Sequence, residues 1–130
     1  MARLQQQIRL TTQDEVGKLA KCSDLLGEKG INVLAACAWI EGDTGHMLLI
    51  TDDNQAACAV LSEEATSCQM QEVVTAMVPN KPGAMRSGAK ALAEAGVSIR
   101  HMHATTAGAG EAMIVMDTSD NAKAVEILGA

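Results

Sequence analysis

The sequence predicts an α+β protein built twice over: two modules of βαββαβ order, each an antiparallel sheet with its helices on one face. Three observations predict it. First, the chain repeats itself. Displaced by 66 residues, Gly17 falls on Gly83, Leu26 on Leu92, Glu28 on Glu94, Gly30 on Gly96, Gly42 on Gly108 and Met47 on Met113. With one residue of slip, Thr51, Asp53, Asn54, Ala57 and Leu61 fall on Thr118, Asp120, Asn121, Ala124 and Leu128. Second, glycines and apolar positions carry the match, and those are what a duplicated fold retains. Third, apolar runs of strand character alternate with stretches of helical spacing in the same order in both copies.

The elements follow in order. Leu4-Gln-Gln-Gln-Ile8-Arg-Leu10 sets apolar residues between polar ones, a partial two-residue period that reads as a strand. Thr12-Gln-Asp-Glu15 has the spacing of a capping box, a hydroxyl for exposed N–H groups and a carboxylate three residues on. A helix is therefore expected from that point, with Val16, Leu19, Cys22 and Leu26 on one face. Gly30 stands where a helix end takes a left-handed residue. Ile31–Ile40 reads as a buried strand, Glu41–Gly45 as a turn and His46–Thr51 as a second strand. Asp52-Asp-Asn opens a short helix to about Leu61, and a strand follows around Val73–Val78.

The second copy repeats the plan. Asn80-Lys-Pro-Gly83 is a tight turn in which Pro pre-sets φ. A helix is expected over about 83–95, strands over about 97–106 and 111–117, and a last helix over about 119–128. Such a split βαβ order closes the ferredoxin-like arrangement. The modules are placed at 1–69 and 70–130, with the strand at about 66–78 ending one and beginning the other. The second copy stops after its last helix, so its last strand is missing. A partner, the N-terminal segment or chain beyond Ala130 would have to supply it. Ala84, Gly88, Ala91 and Ala95 form a stripe of small residues, read either as filler or as room for a close backbone approach.

Composition narrows the function. The 130 residues are 48% hydrophobic, Trp39 is the one residue among Phe, Trp and Tyr, and the net charge is −6. Binding of single-stranded nucleic acid by base stacking needs aromatic platforms, and a phosphate backbone repels an acidic chain. No nucleic-acid partner is expected. Cys22, Cys37, Cys58 and Cys68 form no C-x-x-C pair. The polar start and the absence of a membrane-length apolar run predict a cytoplasmic protein whose thiols are reduced and serve as small hydrophobes.

Catalytic and cofactor patterns mostly fail. In Gly83-Ala-Met-Arg-Ser-Gly88-Ala-Lys90 the lysine arrives one position late for a phosphate loop, and no hydroxyl follows it. Gly108-Ala-Gly110 lacks the third glycine of a dinucleotide site. His101 and His103 share one face of a strand, where two imidazoles suit a transition metal, but no third ligand stands at a convincing spacing. No metal, cofactor or catalytic residue is expected, and the methionines read as gap-fillers in a core without Phe.

Val78-Pro-Asn-Lys-Pro-Gly83, then Leu92-Ala-Glu-Ala-Gly96, then Val97-Ser-Ile99, resembles the ACT domain family: a strand, an Asn-x-Pro-Gly turn, a helix ending in an LAEAG-like run and a GIN-type strand start. Leu26-Gly-Glu-Lys-Gly30-Ile-Asn-Val33 carries the same signature in the first copy without its turn. The resemblance covers about residues 4–128. It implies a regulatory module that binds a small molecule, most plausibly an amino acid, at an interface between modules. It implies turn residues Asn80, Lys81, Pro82 and Gly83, and strand-start residues Gly30, Ile31, Asn32 and Val33 of a neighbouring copy. Asp14-Glu-Val-Gly17 departs from the turn signature, and its two carboxylates disfavour an anionic group. One good composite site is therefore expected. With no catalytic or DNA-binding domain attached, regulation would act through another protein, and exposed sheet edges suggest a homodimer.

Overall fold

The structure, a computed structural model, describes residues 1–129. Its elements are β1 (Ala2–Gln13), α1 (Lys18–Glu28), β2 (Val33–Glu41), β3 (Thr44–Thr51), α2 (Asn54–Leu61), β4 (Ser67–Pro79), α3 (Ala84–Glu94), β5 (Ile99–Thr106), β6 (Glu111–Thr118) and α4 (Asn121–Leu128). They divide into two compact units, one of Gln6–Gln71 and one of the chain from Glu72 onward together with Met1–Gln5.

In the 6–71 unit β1 pairs antiparallel with β3, and β3 with β2. The start of β4 runs along the other side of β1. Gln7 Nε2 donates to Gln71 Oε1 at 3.0 Å and Thr66 N–H to Thr11 O at 2.8 Å. Numbers rise on one strand as they fall on the other, so this pairing is antiparallel too. Alternate residues turn to one face. Ile8 and Leu10 of β1 meet Met47 and Leu49 of β3 there, and Cys22, Leu26, Ala57 and Leu61 of α1 and α2 close the core over them.

The unit from residue 72 repeats this with β4 paired to β6 and β6 to β5. Val74, Ala76, Ile114 and Met116 form the sheet side of its core, and Leu92 and Ala124 the helix side. The strand that the sequence left unassigned is the N-terminal segment. Met77 N–H donates to Met1 O at 2.9 Å, and Thr75 Oγ1 to Gln5 Oε1 at 2.8 Å. Ala2, 2% exposed, joins the core, and its N–H donates to Gly129 O at 2.7 Å, just past α4. The expected ferredoxin-like order is thus present in both units.

The loop before each second helix is the same device twice. Thr51 N–H and hydroxyl both donate to Asn54 Oδ1, at 2.9 and 2.8 Å, while Asn54 Nδ2 donates to Gln6 O at 2.9 Å. Thr118 N–H and hydroxyl donate to Asn121 Oδ1 at 2.9 and 2.7 Å, and Asn121 Nδ2 to Glu72 O at 3.1 Å. Asp53 and Asp120 cap the helices by accepting from Ala56 N–H and Lys123 N–H. Short polar side chains suit such turns because they bond nearby backbone.

Three expectations are corrected. Thr12 does not cap a helix. It is buried within β1, and α1 begins only at Lys18, after Gly17 has turned the chain at φ 88°. Val16 is consequently fully exposed and Leu19 largely so, and the buried face of α1 is Cys22 and Leu26. The slip in the repeat also lies earlier than the alignment placed it. Ile8 pairs with Leu49 and Val74 with Met116, so Met47 corresponds to Ile114 rather than Met113. The longer β5–β6 turn absorbs the extra residue.

The third correction concerns sulfur. Cys22 is a buried small hydrophobe as expected, but Cys58 of α2 and Cys68 of β4 form a disulfide with Cα atoms 6.0 Å apart. Ten residues of separation hid this pairing, because the α2–β4 connection doubles back. A loop this short corresponds to about 2.5 kcal/mol of unfolded-state entropy in the chain-entropy model. Cys68→Ser is expected to lower unfolding free energy by roughly that amount in oxidised protein and by far less in dithiothreitol, as read by urea titration.

Candidate functional site

The turn between β4 and α3 is fixed by its own backbone. Asn80 N–H donates to Gly110 O at 2.8 Å, Lys81 N–H to Pro79 O at 3.0 Å, Ala84 N–H to Lys81 O at 3.2 Å and Arg86 N–H to Gly83 O at 3.0 Å. Gly83 supplies the left-handed residue, φ 81°, that lets the chain enter α3. These four N–H groups are therefore occupied, and the pull on an anion comes from side chains and the helix dipole.

Beside this turn lies an open groove of about 560 Å³, walled by Asn80, Lys81, Gly83, Arg86, Thr105 and Thr106 among others. Lys81 and Arg86 are its charged groups, and no carboxylate lines it. Neither cation forms an ion pair among the described residues. The end of β5 thus completes the wall that the turn begins.

The equivalent groove of the 6–71 unit is about 270 Å³ and differently furnished. Trp39 stacks on His46 with ring centroids 5.0 Å apart, at the end of β2 that corresponds to Thr105. Glu15 takes the place of Lys81 and is bound by Lys21 at 2.8 Å and Lys18 at 3.2 Å, while Lys18 also meets Glu64 at 3.0 Å. Hydrogen bonds from Lys21 and then Lys18 hold the Glu15 carboxyl below its usual range. That groove presents a neutralised, partly filled face.

The structure brings Asn80, Lys81 and Gly83 together in one groove, with Pro82 between them in the turn. Gly30, Ile31, Asn32 and Val33 lie at the other end of α1 and do not line the groove of their own unit. Gly30 is left-handed at φ 69°, and Ile31 is a core residue. Asn32 N–H donates to Asp52 Oδ1 at 3.0 Å and Asp52 N–H returns to Asn32 O at 3.0 Å, tying the strand start to the β3–α2 loop. The side chains of Asn32 and Val33 are exposed. Sequence reasoning missed Arg86, Thr105 and Thr106. The signal was available, since the repeat places residues 104–106 on 38–40, but no motif marks them.

His101 and His103 do share a face of β5, with ring centroids 5.8 Å apart. Both ring nitrogens of His103 are buried without a hydrogen-bond partner. Burial first, and then His101, pushes the His103 pKa below its ordinary 6.5. The neutral ring is therefore the folded form. Stability is full above the unfolded value and declines as pH falls below it, because the unfolded chain takes the proton more readily. The melting temperature is expected to drop between pH 7 and pH 5, and to drop less in His103→Gln, by calorimetry across that range.

With this geometry in view, the sequence matches the model of the ACT domain pair over residues 3–129. The chain belongs to the ACT domain family. The same architecture recurs in solved structures. Protein BT0572 from Bacteroides thetaiotaomicron is 26% identical with a TM-score of 0.89, over 98% of this chain and 88% of that one. The regulatory subunit of aspartate kinase from Thermus thermophilus, in its ligand-free form, is 19% identical with a TM-score of 0.70, over 98% and 93% of the two chains. That from Thermus flavus is 18% identical with a TM-score of 0.69, over 98% and 94%. At these identities the two kinase subunits share the fold. No curated protein matches the sequence. Among the described residues, no helix of the ACT pair is long and apolar enough to cross a membrane.

Proposed function

We propose that this ACT pair is a regulatory protein that binds an amino acid without transforming it, at the β4–α3 turn of the unit from residue 72. The observation that carries the reading is the contrast between the grooves: one open and lined by Lys81 and Arg86, the other stacked with Trp39 and His46 and crossed by ion pairs. A carboxylate is attracted by the two cations and by the N-terminal end of α3. Asn80 offers a donor and an acceptor for the rest of the head group. In this reading the chain is a homodimer, and a second copy supplies Gly30, Ile31, Asn32 and Val33 as the opposite wall. The signal passes to another protein chain.

Calorimetry with a panel of amino acids tests this. One ligand per chain, weakened by Asn80→Ala and by Asn32→Ala, supports it. Two equal sites per chain, or binding indifferent to both substitutions, contradicts it. Light scattering checks the dimer, which a strict monomer across micromolar concentrations refutes. A cytoplasmic location belongs to the same reading.

A further inference from the structure

The core of the unit from residue 72 is not filled as its twin is. The pairings Leu10 with Met47 and Ala76 with Ile114 put Leu10 and Ala76 at equivalent core positions. The repeat puts Cys22 of α1 and Gly88 of α3 at equivalent positions as well. Leu10 and Cys22 are each 1% exposed and fill the apolar centre of the 6–71 unit. Ala76 and Gly88 are truncated by comparison; Leu128 closes on Gly88, within 3.1 Å of where a Cβ would stand, but the space beside Ala76 stays open. A cleft of about 140 Å³ opens there, walled by Ala76, Gly88, Met77, Met85, Met102 and Met116 among others.

No charged side chain lines this cleft. A void left by small core residues costs stability, and methionines adapt to whatever apolar group enters. The cleft also adjoins the groove beside the β4–α3 turn: Val78, Ala84, Met85 and Ala89 wall both. A dry cavity of about 150 Å³ holds benzene, which sets the scale for an occupant.

We infer that the cleft receives the apolar side chain of the ligand whose charged end lies at the α3 turn. The ligand class is an amino acid with an aliphatic or thioether side chain, of the size of leucine or methionine. The inference rests on the proposed amino-acid site for the head group, while the cleft as an apolar binding site stands on its own.

The test separates the two. The whole chain and its Ala76→Leu variant, which restores the twin's side chain, are titrated with leucine, methionine, alanine and serine. Both are also melted with and without benzene. Leucine and methionine should bind at least ten-fold more tightly than alanine and serine. Ala76→Leu should erase that preference while leaving alanine within two-fold. Benzene should raise the melting temperature of the parent and not of the variant, as mass action requires of a native-state ligand. Equal binding of leucine and alanine overturns the side-chain assignment. No benzene shift in the parent overturns the cleft itself. Failure of every amino acid alongside a benzene shift abolished by Ala76→Leu upholds the cleft and refutes the turn as an amino-acid site. Ala76→Val serves as the same test where the leucine variant shows no cooperative melt.

Discussion

Asn121→Ala will lower unfolding free energy by about 3 kcal/mol, and Asn54→Ala by a comparable amount, in urea titrations of the whole chain. Each asparagine performs the same three tasks. Its Oδ1 accepts the N–H and the hydroxyl of a threonine, and its Nδ2 donates to the carbonyl of Glu72 or Gln6. Thr118 is 1% exposed, so truncating Asn121 leaves its donors without water to replace the lost acceptor. A buried polar group stripped of its partner costs about 1–3 kcal/mol, more than the bond itself contributes. The aspartate variant separates the tasks. Asn121→Asp keeps the Oδ1 acceptor and loses the donor, so its cost should fall between the parent and the alanine variant. A loss below about 1 kcal/mol for both alanine variants would show that the repeated loop does not stabilise its own unit as described.

Lys81→Glu should weaken ligand binding by ten-fold or more while leaving the melting temperature of the free protein within a degree or so. Lys81 is exposed and forms no ion pair among the described residues, so the fold does not depend on it. The bound carboxylate does. Opposite charges about 4 Å apart near a protein surface attract by up to about 4 kcal/mol, and reversal turns that attraction into repulsion. A small fraction of that swing already gives ten-fold, since about 1.4 kcal/mol is a decade in affinity. Arg86→Glu should act in the same direction. Lys81→Gln should cost less, and raising the salt concentration should shrink the difference between Lys81→Gln and the parent. Lys18→Glu, in the other unit, should leave affinity unchanged, because its groove holds no ligand in this account. Affinity unaffected by both Lys81→Glu and Arg86→Glu would remove the groove as the anion site.

Much of this was legible in the residues. The repeat exposed the duplication because its glycines mark helix ends and turns, positions that a fold cannot easily give up. Gly17 and Gly83 are left-handed in the structure at the same step of each unit. Thr51, Asp53 and Asn54 over Thr118, Asp120 and Asn121 marked a loop whose hydrogen bonds recur atom for atom.

What failed did so for physical reasons. Thr12 had the chemistry of a cap, but the pairing of β1 with β3 runs on through it to Gln13, and sheet hydrogen bonds outweighed a local capping preference. The N-terminal segment could not be assigned to the far unit because strand partnership is non-local, and nothing in Leu4–Leu10 names its neighbour. The Cys58–Cys68 pairing depends on how tightly α2 turns into β4, which spacing alone does not encode. The groove at Thr105 and Thr106 carries no motif, because it is made by where β5 ends beside a turn rather than by an unusual residue.

The measurement that reaches the central claim most directly is amide chemical-shift mapping of the isotopically labelled chain titrated with leucine. One saturating site per chain is expected, with the largest perturbations at residues 80–86 and 104–106 and none of comparable size at 14–19 and 38–40. Perturbations of equal size in both sets, or a spectrum that does not move with leucine or any other amino acid at millimolar concentration, would contradict it.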